Sequence, residues 1–135
     1  MSMKSYARKN GKRVDEMIFR KEFVKLILEG KKTQSRRKWK RPLVKEGRIY
    51  KARTGYSSDY FAKIQINRVF KQKLGDMSEE DAKKEGCESL EEFKRVWERV
   101  TGEPWNPEEE VWVVEFSVVG TSNEKKNTNS GESRK

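Results

Sequence analysis

The residues that could do chemistry lie close together in Lys32-Thr33-Gln34-Ser35-Arg36-Arg37. Side chains alternate across a strand, so Thr33, Ser35 and Arg37 would share one face, with Gln34 and Arg36 on the other. Lys32, at the corner before the strand, could serve either face. A lysine beside a hydroxyl can accept its proton when burial disfavours the ammonium, which is the logic of Ser-Lys hydrolases. The same cations and hydroxyls can instead grip a phosphate, or simply form a solvated strand end. Histidine is absent. That removes Ser-His-Asp triads, Cys-His dyads and His-based metal sites. Cysteine occurs once, at Cys87, so neither an internal disulfide nor a Cys-based zinc cluster can form. Asp59, Asp76 and Asp81 have no metal-binding spacing. No metal or cofactor is expected, and a reducing, cytoplasmic setting is.

The charge is segregated. The net charge is +10, and Lys31 to Arg53 holds eleven Lys/Arg against one acid, Glu46. From Gly75 to Glu115 there are fourteen Asp/Glu against five Lys/Arg. A concentrated basic face is the footprint of a polyanion binder. Its candidate contacts are Lys31, Thr33, Arg36, Arg37, Lys38, Lys40, Arg41, Arg48, Lys51, Arg53 and Tyr56. Trp39, Tyr50 and Tyr60 are also interleaved with the cations, as base-stacking side chains would be. The partner this predicts is RNA or a nucleoside, bound by a monomer. The acidic half offers a different reading, a protein-interaction adaptor. No apolar run approaches the length of a membrane span, so no membrane partner is expected.

The elements that must position these residues are readable from periodicity. The 135 residues suit one domain with a modest core, since 33% are hydrophobic and 40% charged. Residues 1–15 read as a flexible basic arm, 16–120 as the domain and 121–135 as a disordered polar tail. Met17-Ile18-Phe19 suggests a first strand. Phe23, Leu26 and Ile27 mark a short amphipathic helix, and Gly30 suits its left-handed cap. Strands are expected at 33–37, 48–53, 60–71 with a bulge, and 111–119. Between the last two, Ser78 and Ser89 start helices, the latter with Glu92 in a capping box and with Leu90, Phe93, Val96, Trp97 and Val100 on one face. Gly102 stops that helix. The order predicts an α+β fold whose short twisted strands curl into a small barrel.

Leu28-Glu29-Gly30-Lys31-Lys32-Thr33-Gln34-Ser35-Arg36-Arg37 resembles the signature of the ASCH family, G-x-K-x-x-x-x-R after a short helix. Gly30, Lys32 and Arg37 match in order and spacing. Glu46-Gly47-Arg48-Ile49-Tyr50 is similar to the family's G-D-x strand entry, with Arg48 where Asp is common. The resemblance implies a small PUA-like β-barrel with helices packed at its ends, a cleft beside a basic surface, and an RNA-binding function. It also implies an alternative. Some small members are N4-acetylcytidine amidohydrolases that use a Lys, a Thr and a Glu. These fall on Lys32, on Ser35 with a changed hydroxyl, and on Glu85. Ribonuclease action is a further reading of the same resemblance.

Overall fold

The computed structural model describes residues 15–55 and 59–121. The expected basic arm before residue 15, Tyr56 and the tail beyond Thr121 lie outside the described residues. Five strands form one sheet: β1 (Glu16–Ile18), β2 (Gln34–Arg37), β3 (Ile49–Arg53), β4 (Ala62–Lys73) and β5 (Glu110–Thr121). Their order is β1-β3-β4-β5-β2. β1 runs parallel to β3, and the other neighbours are antiparallel. Three helices complete the α+β fold: α1 (Val24–Leu28), α2 (Glu79–Lys84) and α3 (Leu90–Thr101). No helix among the described residues is long and apolar enough to cross a membrane.

The long β4–β5 ribbon carries the sheet. Its register shifts at Lys63/Ile64 and at Ile66/Arg68, which is the bulge that the slipped alternation of Phe61, Ile64, Ile66, Val69 and Phe70 predicts. The expected closure into a barrel does not occur, because β1 and β2 stay at opposite edges of the sheet. The outer edge of β2 is otherwise engaged. The Gln34 carbonyl accepts from Lys32 Nζ at 3.0 Å, and the amide just before the strand, Thr33 N, donates to Lys84 O at 2.7 Å. A side chain and a helix end thus occupy positions where a closing strand would bond.

Two apolar clusters flank this edge. One joins Phe19, Ile27, Tyr50, Ile64, Ile66 and Phe116 beneath the sheet. The other joins Leu74, Met77, Ala82, Phe93, Trp97 and Val111 beneath α2 and α3. The helix starts follow their caps. Ser78 and Asp81 make a reciprocal capping box. Ser89 accepts from Glu92 N at 3.1 Å, but the Glu92 carboxylate turns to Glu88 N at 2.6 Å, so the box expected there is only half formed.

Lys32 is fixed by two helix ends. Leu26 O of α1 accepts both Lys31 N and Lys32 N, a chain reversal that Gly30 permits at φ +77°. Gly86, at φ +98°, follows α2 so closely that an added Cβ would lie 3.0 Å from Leu26 Cδ1 and 3.4 Å from Lys32 Cβ. This predicts unequal costs for two glycine substitutions. Gly30→Ala, in open space, meets only the left-handed penalty of roughly 1–2 kcal/mol. Gly86→Ala adds overpacking of about 1–3 kcal/mol on top. Urea denaturation of both variants is the check, and equal losses would show that Leu26 yields without cost.

Candidate functional site

Lys32 and Glu85 meet in the interior, 53 residues apart in the chain. Lys32 Nζ donates to Glu85 Oε1 at 2.8 Å, to Glu85 O at 3.1 Å and to Gln34 O at 3.0 Å. Three acceptors match the three N–H bonds of an ammonium. Glu85 closes the end of α2, where exposed carbonyls favour a cation. The Phe23 ring adds a face 4.7 Å from Nζ. The paired side chains are 4% and 3% exposed.

Arg36 completes the cluster. Its NH1 donates to Glu85 Oε2 at 2.9 Å and also to Gln34 Oε1, and its NH2 reaches Gln72 Oε1 at 2.5 Å. Asp81 lies 3.6 Å from the same NH2. Burial pushes the Asp81 carboxyl up, but hydrogen bonds from Ser78 and the Arg36 charge outweigh it and hold the group below its usual range. The Arg36 side chain is 0% exposed. It therefore lies inside rather than on the solvent-facing basic surface expected for it. Strand alternation accounts for this: Arg36 and Gln34 share the face turned to α2, and that face is covered.

Ser35 and Arg37 occupy the opposite face and line a cleft of about 240 Å³. Its walls are Phe19 and Phe23 on one side, and Val96, Trp97 and Val100 of α3 on the other. Lys32 and Glu85 also line it. Arg37 Nε donates to Ser35 Oγ at 2.8 Å. The guanidinium carbon lies over the Phe19 ring at 4.8 Å and over the Trp39 ring at 5.8 Å. Burial pushes it down to about 10, against the opposing pull of Glu85, so it stays charged at neutral pH. It has no carboxylate partner among the described residues. Ser35 and Lys32 line the same cleft, yet no hydrogen bond joins the hydroxyl to Nζ.

The other expected contacts fall into two groups. Lys40, Arg41 and Arg48 are exposed and have no ion pair among the described residues, as is Lys45, which the sequence reading leaves out. They sit on an irregular segment, 38–48, anchored by buried Val44 and by Lys45 N donating to Tyr50 Oη at 2.8 Å. The second group is already paired: Lys31 with Glu29, Lys38 with Glu103 and Glu109, and Arg53 with Glu16. Lys51 lies 5.5 Å over Tyr60, and Thr33 is half-buried. The cleft walls were legible only as apolar periodicity. Val96 and Val100 widen the α3 stripe beyond what Phe93 and Trp97 need, and nothing else in the sequence marks them.

Comparison with known proteins adds the following. The sequence matches the ASCH domain family over residues 15–120. No curated protein sequence matches the chain. An ASCH domain from Lactobacillus crispatus JV V101 superposes with a TM-score of 0.61 at 20% identity, over 72% of this chain and 70% of that one. A protein from Enterococcus faecalis V583 gives 0.60 at 22% identity, over 84% and 77%. A Ser-to-Ala mutant of the ASCH protein of Zymomonas mobilis gives 0.52 at 13%, over 85% and 78%. At these identities the likeness is one of fold.

Two outcomes follow from this geometry. Glu85→Ala leaves Lys32 and Arg36 charged and buried without their shared carboxylate, and should cost about 3–5 kcal/mol. Glu22→Ala breaks the exposed bidentate pair with Arg99 and should cost below about 1 kcal/mol. Denaturant midpoints compare the two, and similar losses would remove the cluster's special weight. The second outcome concerns Cys87, beside the same cluster. Burial, then Glu92 and Glu85 against the pull of Lys32, pushes its thiol up to about 11. Alkylation by iodoacetamide near neutral pH should run about 10²-fold slower than for a free thiol and climb with pH towards that value. A free-thiol rate in the folded protein would contradict it.

Proposed function

The chain belongs to the ASCH domain family, and from that premise we propose that it binds RNA, seating a base or nucleoside in the cleft and holding phosphates on the 38–48 segment. The Arg37 guanidinium carries this reading. It is charged, lies over two aromatic rings, has no carboxylate partner among the described residues, and stands where the cleft meets the basic segment through Trp39. Apolar and aromatic walls with a few convergent polar groups suit a flat, partly polar ligand. Aromatic faces and guanidinium planes are the surfaces on which unstacked bases settle.

A second reading, hydrolysis of N4-acetylcytidine, is favoured by one observation: Lys32, Glu85 and Ser35 line the same cleft. In that reaction the Ser35 oxygen would attack the acetyl carbonyl, a base would take its proton, cytidine would leave with a proton on its amine, and water would then cleave the acetyl-serine ester to acetate and the free hydroxyl. The geometry gives it less support than binding. Lys32 donates three hydrogen bonds, none to Ser35, and the Ser35 oxygen accepts from Arg37.

Removing the side chains of Lys40, Arg41, Lys45 and Arg48 together should weaken binding of single-stranded RNA. It should also flatten the plot of log affinity against log salt by up to about 3, since each phosphate contact adds about 0.7 for a single strand. Melting temperature should hold, because these side chains bury little. An unchanged slope would overturn the role of this segment. For the second reading, acetate release from N4-acetylcytidine is the measurement. Hydrolysis requires turnover by the wild type, its loss in Lys32→Arg and Ser35→Ala, and its retention in Ser35→Thr. The binding reading expects no release.

A further inference from the structure

We infer that the cleft selects bases by their carbonyl oxygens, accepting oxo-bearing bases such as uracil or hypoxanthine and rejecting adenine. The inference rests on the RNA-binding reading and specifies which bases that reading admits. It comes from the hydrogen-bonding state of the polar side chains on the cleft wall, where Arg20, Arg36 and Lys38 are ion-paired with Glu22, Glu85 and Glu103. Glu85, the only carboxylate lining it among the described residues, is 3% exposed and holds a charged donor on each oxygen, Lys32 at 2.8 Å and Arg36 at 2.9 Å. Lys32 has no hydrogen left to give. The Thr101 hydroxyl is engaged twice, donating to Trp97 O at 2.8 Å and accepting from Glu103 N at 3.2 Å.

The hydrogens that remain to be given are on Arg37 and Ser35. Arg37 spends Nε on Ser35 and keeps both terminal nitrogens, over the rings of Phe19 and Trp39. Ser35, having accepted that bond, still has a proton to give. These two donors point to a ligand that brings acceptors. A guanidinium fork meets paired acceptors of a base edge well, as on guanine O6 and N7. Adenine brings an exocyclic amine and no carbonyl. That amine would face the Arg37 donors where an oxo base presents an oxygen, and this mismatch counts against adenine.

The test compares three eight-nucleotide RNAs at one salt concentration by fluorescence anisotropy with the full chain: all-adenosine, and the same strand with one central uridine or one central inosine. Inosine differs from adenosine at the six-position, oxo for amino, with the proton that follows on the ring nitrogen. Phosphate contacts are equal in all three. The expected result is at least about 5-fold tighter binding of the uridine and inosine strands. In Arg37→Lys, which keeps the charge but loses the fork and the stack, the preference should fall to within about 2-fold while salt dependence persists. Equal, salt-dependent binding of all three strands by the wild type would overturn the inference and leave the RNA-binding reading in place. A preference for the adenosine strand would do the same. No salt-dependent binding of any strand would overturn both. The wild-type ranking stands even if the variant folds poorly.

Discussion

The buried ammonium of Lys32 is the constraint around which the molecule is arranged. Removing a charge from water costs several kcal/mol even after relaxation, so an interior cation must be met from every side. Here a strand carbonyl, a helix-end carbonyl and a carboxylate meet it at 2.8–3.1 Å. Those acceptors belong to β2 and to the end of α2, so satisfying one charge fixes the helix pair against the sheet edge. Glu85 then has an oxygen left, and Arg36 takes it. Arg36 in turn sets its NH1 and NH2 groups against Gln34, Gln72 and Asp81, while its buried Nε has no partner among the described residues. One burial thus recruits polar partners from β2, β4 and α2 in succession. Such a network adds little net stability compared with an apolar core, but it tolerates few alternative arrangements.

The network also decides what the cleft can offer. Lys32 and Arg36 are balanced inside by Glu85 and Asp81, and Arg20 and Lys38 on the cleft wall are paired with acids, so the cation of the wall without a carboxylate partner among the described residues is Arg37. That guanidinium does not need a carboxylate to stay in place. It has a hydroxyl at one end and lies over two aromatic rings, at 4.8 and 5.8 Å. Its terminal nitrogens are left for whatever enters. The formal charge of +10 overstates the surface available to a polyanion, because several cations of the Lys31–Arg53 run are paired or buried. What remains concentrated is Lys40, Arg41, Lys45 and Arg48, beside Trp39. The electrostatic patch is smaller than the sequence suggests and lies nearer the cleft.

Features set by local rules were legible in the sequence. Gly30 caps α1 because the chain must reverse there, Ser78 and Ser89 start helices, Gly102 ends one, and the β4 bulge shows as a slip in alternation. The resemblance placed Lys32 and Glu85 together, and the structure does bring them into contact. Features set by distant partners were not legible. Arg36 and Arg37 are neighbours in a basic run and differ only in which face they occupy. The first is consumed by Glu85 and Asp81, which lie more than forty residues away. Barrel closure was expected from strand count, and it fails because a lysine side chain and a helix end occupy the β2 edge. The Glu92 carboxylate had two amides within reach of one cap, and sequence alone does not choose Glu88 N over Ser89 N.

The same packing bears on whether Lys32 can act as a base. A base must offer a lone pair to the proton it removes, within hydrogen-bond reach. Every direction around Nζ that carries a hydrogen is directed at an acceptor, and the Ser35 hydroxyl is not among them. Turning Nζ towards Ser35 would surrender at least one of these contacts while Glu85 and Arg36 remained buried. Binding demands none of this. A ligand bound through Arg37 and Ser35 would leave the network intact, because the hydrogens they would give are ones that the network does not use.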